Sequence, residues 1–153
     1  MADIISLLKR EEGYSAKPYY CSEGYPTIAH GQRIGPKGAP LNLYEFTVSK
    51  PLAAVWLAEK VKETLADMDK YDNIRAAMAA CNEPRQAILI SMSYQMGASK
   101  VAKFTDTLSA IAAERWADAK AGMLASIWAR QTTNRANRHA IQMLTGSWYP
   151  DYK

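Results

Sequence analysis

Asp3-Ile4-Ile5-Ser6-Leu7-Leu8-Lys9-Arg10-Glu11-Glu12-Gly13-Tyr14 is the stretch on which the fold turns. Ile4, Ile5, Leu7 and Leu8 recur at helical spacing while Ser6, Lys9 and Arg10 face away, so residues 3–12 predict a short amphipathic helix. Asp3 is placed to cap it and Gly13 to stop it. From Tyr14 to about Pro40 the chain turns to Tyr, Gly, Pro and Ser, and Lys17–Cys21 and Tyr25–His30 predict two strands around the turn Ser22-Glu23-Gly24. Gly31, Gly35, Pro36, Gly38 and Pro40 put irregular backbone after them. A hairpin of this size is not stable alone and has to lean on helices.

Helices follow. Ser49 as cap and Pro51 in the first turn open a long one, with Ala54, Ala58, Val61, Leu65 and Met68 at helical spacing and an end near Lys70, roughly 30 Å away. Asn82 and Pro84 start another through Ile88, Leu89 and Met92, and Thr105, Glu114 and Thr133 stand at or near the starts of shorter ones. There is no internal repeat. The predicted class is α+β: a small β-hairpin lobe (13–48), a connecting helix (49–70) and a mainly helical lobe (71–153) that takes back the first helix (1–12). Separate cores need roughly 100–150 residues each, so all 153 residues are expected in one domain.

With 48% hydrophobic and 22% charged residues the chain can bury a core, and wholesale disorder is excluded. No apolar run approaches the roughly 20 residues of a membrane span, and the N-terminus lacks a basic start followed by an apolar stretch. Synthesis in the cytoplasm without membrane insertion is expected. Cys21 and Cys81 can make at most one bridge and lack zinc-site spacing. No metal cluster, phosphate loop or dinucleotide fingerprint occurs, and no cofactor is expected. The net charge is +4, and its excess lies between Asp118 and Asp151, where Lys120, Arg130, Arg135 and Arg138 meet no acidic residue. Such a stretch suits an anionic partner (nucleic acid, lipid or wall polymer) as well as it suits a plain solvated face.

Glu11 and Glu12 close the first helix, both within about 60° of the centre of its apolar stripe at the 100° step between residues. A carboxyl so placed is desolvated and near the negative end of the helix dipole. Both effects raise its pKa, leaving a proton for general acid catalysis near neutrality. Periodicity does not choose between the two, and exposure at the rim is the commoner fate of a Glu pair.

Glu12 is followed after eight residues by Cys21 and after five more by Thr27. Here the sequence resembles the T4-type phage lysozyme (endolysin) family, whose pattern is Glu, eight residues, Asp, five residues, Thr. The likeness continues through Tyr94-Gln95-Met96-Gly97, Val101-Ala102-Lys103-Phe104-Thr105, Arg115-Trp116, Trp128 with Gln131-Thr132-Thr133-Asn134-Arg135-Ala136, and Thr145-Gly146-Ser147-Trp148 with Tyr152. Residues from about Arg33 to Ser49 match poorly. The resemblance implies a lysozyme-like fold with polysaccharide in an interlobe cleft, and hydrolysis of the β-1,4 bond between N-acetylmuramic acid and N-acetylglucosamine in bacterial peptidoglycan. Glu12 matches the family's general acid and Thr27 the threonine that holds the attacking water. Tyr94, Gln95 and Thr107 fall at cleft-lining positions, with Tyr94 and Thr107 replacing Phe and Ser. Arg33 and Gly122 stand where the T4-type pattern has an apolar residue and an Asn. The same resemblance implies a monomer whose partner is peptidoglycan, held in the host cytoplasm until a holin releases it to the wall.

Cys21 departs most, standing where the pattern has its second carboxylate. A thiol removes a proton from water only as thiolate, a few per cent of an unperturbed Cys at pH 7, and a negative Glu12 nearby lowers that fraction. It is also a better nucleophile than carboxylate, so a double displacement stays open beside water attack, as does an inert thiol. His30, nine residues on, has no orienting Asn or Asp and reads as a surface or packing residue. Trp56, Trp116, Trp128 and Trp148 read as core. Arg135 and Arg138 with His139 read as a phosphate or carboxylate site or as a solvated face. Two other functions remain open: a peptidoglycan-binding protein with little hydrolysis, and a basic nucleic-acid-binding helical domain. The second lacks interleaved basic and base-stacking residues.

Overall fold

The first helix, α1 (Ile4–Glu12), is fixed at both ends by the residues that flank it. The Asp3 carboxylate accepts the Ser6 amide at 2.7 Å and the Ser6 hydroxyl accepts the Asp3 amide at 2.9 Å, a reciprocal cap whose loss costs about 1 kcal/mol. Gly13 ends the helix at φ +69°, donating its amide to the Lys9 carbonyl. Leu7 and Leu8 are fully buried, so α1 packs into the helical lobe although the sheet follows it directly. The structure is a computed structural model that describes residues 1–153.

Strands β1 (Ser15–Tyr20), β2 (Pro26–Ala29) and β3 (Gln32–Arg33) form one antiparallel sheet in that order. Tyr19 pairs with Thr27 and Thr27 with Arg33, and all four residues of the central strand are buried. Both expected strands exist with shifted ends. Cys21 belongs to the turn, because its carbonyl accepts the Gly24 amide at 2.9 Å. Ala29 sits at φ +58° and Gly31 at φ +76°, which ends β2 before His30 and turns the chain into β3. A strand of two residues carries no periodicity, so β3 is invisible in the sequence.

Helix α2 (Lys50–Met68) starts at the expected cap, Ser49, with Pro51 in its first turn. Its buried face is Ala53, Leu57, Val61 and Met68: Val61 and Met68 are buried as expected, Ala53 and Leu57 take the places expected of Ala54 and Ala58, and Leu65 is exposed. Ala53 packs with Ile28, Ala29 and Val48 in a small core under the sheet, while Leu57, Val61 and Met68 belong to the 26-residue core of the helical lobe. One helix thus has an end in each core. Helix α3 (Asp72–Ala80), absent from the sequence reading, precedes α4 (Glu83–Met96), whose cap is the expected Asn82. Then come α5 (Ala98–Val101), α6 (Thr105–Ala112), α7 (Trp116–Leu124), α8 (Ile127–Gln131) and α9 (Thr133–Thr145). Thr105 and Thr133 open α6 and α9, and Glu114, at φ +57°, lies in the turn just before α7, near its start as expected. No helix is long and apolar enough to cross a membrane.

Candidate active site

The two glutamates at the end of α1 both meet arginines of α9, and the two pairs differ. Glu12 Oε1 accepts from Arg135 Nη1 at 2.8 Å, with side chains 17% and 9% exposed. The other oxygen, Oε2, lies against Gly31, where a Cβ would stand 2.7 Å from it. A side chain at 31 would displace that oxygen, and φ +76° there already favours glycine. Glu11 is taken up whole: Arg138 donates through Nε and Nη2, each at 2.8 Å, and the Tyr152 hydroxyl donates at 2.5 Å. Burial pushes the Glu11 carboxyl up, but the Arg138 and Tyr152 hydrogen bonds and the nearby Arg135 charge outweigh it, bringing it down to about 2. The expected rise is therefore overturned for Glu11, because the helix that supplies its cation is 127 residues away in sequence. The same contacts correct the reading of the basic stretch: Arg135 and Arg138 turn inward onto Glu12 and Glu11 instead of forming an open cationic surface.

The hairpin brings Cys21 and Thr27 to the same end of the sheet. Burial pushes the Cys21 thiol up, yet hydrogen bonds from the backbone at Tyr25 and Glu23 and from the Thr27 side chain favour the thiolate and leave its pKa below the ordinary value. The opposing carboxylate is that of Glu23 and not the expected Glu12. The Thr27 hydroxyl has one proton and two acceptors in reach, the sulfur and the Tyr25 carbonyl at 2.8 Å. Tyr19, paired with Thr27 across the sheet, links the two halves of the site. Its phenol is pushed up, first by burial and then by the charges of Glu12 and Cys21.

A cleft of about 790 Å³ opens between the lobes, lined by Ser22, Glu23 and Arg33 on the sheet side and by Gln95, Lys103, Trp128 and Gln131 among others on the helical side. Ser22 and Glu23 follow Cys21 in the turn; Glu12, Cys21 and Thr27 themselves are not lining residues. The Arg33 guanidinium stacks 3.5 Å from the Tyr25 ring centroid. The sequence profile of phage lysozyme matches residues 9–142, spanning both lobes and this cleft. The chain belongs to the phage lysozyme family. Over 94% of its length the chain is 29% identical to the pre-baseplate central spike protein Gp5 of Enterobacteria phage T4, of which it spans only 28%. It is 24% identical to the probable T4-type lysozyme 1 and 27% identical to the probable T4-type lysozyme 2 of Dictyostelium discoideum, covering 96% of each with 96% of its own length.

Within this phage lysozyme fold the other expected site residues separate. Gln95 lines the cleft, its Oε1 accepting from Trp128 Nε1 at 2.8 Å. Trp128, read as core, is buried and also a cleft wall. Tyr94 acts as a strut between lobes: its hydroxyl donates to the His30 carbonyl at 2.8 Å and accepts from Gln32 Nε2 at 2.6 Å. Thr107 lines a different recess, of about 260 Å³, with Asp106, Arg115 and Gly122. His30 is buried, its Nδ1 2.5 Å from the Gly13 carbonyl and its ring against Tyr14, which makes it a packing residue as expected. A second hollow, between Leu65, Met68, Ile74 and Met78, is mostly apolar and far along α2 from this chemistry. Sequence reasoning missed Tyr19, Gly31 and the pairing of Arg135 with Glu12. Only the glycine left a signal, as the first of the glycines and prolines that follow β2.

Proposed function

We propose that this chain hydrolyses the β-1,4 bond between N-acetylmuramic acid and N-acetylglucosamine in bacterial peptidoglycan, with Glu12 as general acid and Cys21 with Thr27 managing the water. The observation that carries the reading is the mounting of Glu12: one oxygen is held by Arg135 and the other is left beside a glycine. Oε2 is the oxygen that gives its proton to the leaving glycosidic oxygen. As the C–O bond breaks, a water oxygen bonds to the anomeric carbon, and its proton passes to the Cys21 thiolate. Loss of that proton from Cys21 and return of one to Glu12, both through solvent, close the cycle. The amides and hydroxyl around the sulfur favour the thiolate this step needs.

Reducing-end release from purified peptidoglycan by the parent and by Glu12→Gln tests the proposal, since loss of general acid catalysis typically costs about 10²–10⁴-fold. Undiminished release by Glu12→Gln overturns it. Co-sedimentation with the wall and no reducing ends from the parent would replace it with a binding function. NMR of the first product sugar distinguishes water attack, which inverts the anomeric centre, from a thioglycosyl intermediate, which retains it.

A further inference from the structure

Arg135 holds Glu12, but something must hold Arg135. Its Nε is buried with no partner, so two contacts set the tilt of the guanidinium: Glu12 through Nη1, and Ser91 on α4 through Nη2, at 2.8 Å to Oγ and 3.4 Å to the carbonyl. Ser91 Oγ lies 2.7 Å from His139 Nε2 on α9, His139 Nδ1 lies 3.1 Å from the Tyr152 hydroxyl, and that hydroxyl lies 2.5 Å from Glu11 Oε1. Ser91 and His139 are fully buried.

Proton direction along this chain is forced from both ends. An arginine only donates, so Ser91 Oγ accepts from Arg135; His139, fully buried beside that cation, is held neutral and has a single proton, and whichever ring nitrogen lacks it accepts from Ser91 or Tyr152. An ionised carboxylate only accepts, so Tyr152 gives its proton to Glu11 and must accept one from His139 Nδ1. The single proton of the neutral imidazole is therefore on Nδ1, and Nε2 accepts from the Ser91 hydroxyl. Because Glu11 and Glu12 are consecutive, the bonds close a loop: Glu12, Arg135, Ser91, His139, Tyr152, Glu11 and back through the α1 backbone.

We propose that His139 is a positioning residue for the glycosidase reaction: through Ser91 it fixes the Arg135 guanidinium, and through it the carboxyl of Glu12. This rests on the reading of Glu12 as the acid. Neither His139 nor Ser91 touches substrate; each acts on the angle at which Glu12 Oε2 meets the glycosidic oxygen. Such an effect lowers kcat and leaves KM unchanged, because ground-state binding in the cleft does not involve them.

The experiment compares kcat and KM on soluble uncross-linked peptidoglycan chains for the parent, Ser91→Ala, His139→Leu, His139→Gln and the double variant Ser91→Ala/His139→Leu. The stability control is Met143→Ala, a buried α9 change outside the loop. Misplacing the acid by a fraction of an ångström predicts a fall in kcat of about 10- to 100-fold for Ser91→Ala and His139→Leu at constant KM. The double variant falls no further than the worse single one, since both cut one series chain. His139→Gln, whose amide oxygen still accepts from Ser91, recovers part of the loss. Unchanged kcat in folded Ser91→Ala, multiplying losses in the double variant, or an equal loss in Met143→Ala overturns the proposal. Nitrogen NMR of the parent reads the Nδ1–H tautomer independently of activity, and the opposite tautomer also overturns it. Full activity of Glu12→Gln with the Nδ1–H tautomer in place would instead refute the acid assignment alone.

Discussion

Acidification should weaken this fold through one buried imidazole before any carboxylate contributes. His139 is pushed from its ordinary value of 6.5 down to about 3, first by burial and then by the Arg135 charge, with Arg138 adding and Glu11 opposing. The groups facing it are Ser91 from α4, Tyr152 from the C-terminal turn, Glu11 from α1, and Arg135, Arg138 and Trp128 around its own helix. Between those two pH values the unfolded chain binds a proton that the folded chain refuses, so stability rises with pH there and is lost as pH falls below 6.5. At 1.36 kcal/mol per pKa unit, going from about pH 7 to about pH 5 removes about 2 kcal/mol, or about 4–8 °C in Tm for a chain of this length. Glu11, whose window lies between 4.5 and about 2, is nearly silent over that range. Urea denaturation at half-unit pH steps, for the parent and for His139→Gln, gives the test as a difference curve in which every other titrating group cancels. Parallel curves from pH 7 to 5, or an imidazole that titrates by NMR in the folded state near its ordinary value, would refute the reasoning.

Three further outcomes follow from the same contacts. Glu11→Ala leaves Arg138 and Tyr152 without their acceptor and should cost about 3–5 kcal/mol in chemical denaturation; because the Glu11 carboxyl is depressed to about 2, the stability it contributes is present above 4.5 and lost on acidification, so the variant's stability should change less than the parent's below that pH. Gly31→Ala sets a Cβ 2.7 Å from Glu12 Oε2 at φ +76°; it should lower kcat by about 10- to 100-fold and Tm by the equivalent of about 1–2 kcal/mol, and a fully active variant would remove Oε2 from the mechanism. Cys21 should react with iodoacetamide with a pH midpoint below that of an ordinary thiol, Thr27→Val should raise the midpoint by removing a hydrogen bond to the sulfur, and Cys21→Asp should retain activity; full activity in Cys21→Ala would make the thiol a bystander.

Much of the fold was legible because its boundaries are written locally. Asp3, Ser49 and Asn82 cap the helices they were expected to cap, and a cap needs only the next three residues. What escaped was set by tertiary partners or by length. In α2, Val61 and Met68 are buried as expected, whereas the N-terminal half turns Ala53 and Leu57 inward instead of Ala54 and Ala58, because its first turn also packs on the sheet core through Ala53. Strand β3 is too short to show alternation. Within the site, the spacing of Glu12, Cys21 and Thr27 was readable, whereas Arg135 and Arg138 looked like surface cations because their acceptors lie at the other end of the chain.

The helical geometry explains why the two glutamates of the pair are held so differently. Consecutive side chains leave a helix about 100° apart, so Glu11 and Glu12 cannot share one environment. On α9, Arg135, Arg138 and His139 at positions i, i+3 and i+4 lie on a single face, and that face is presented to both carboxylates at once. Arg138 and Tyr152 saturate Glu11, so it stays an anion and keeps His139 in the tautomer that serves Ser91. Glu12 meets only one nitrogen of Arg135, and Gly31 withholds the side chain that would crowd its second oxygen. A buried ion pair that satisfies both oxygens yields a strut; one that satisfies a single oxygen, with glycine opposite the other, fixes the carboxyl's orientation and leaves uncovered the oxygen that the proposed role of Glu12 requires.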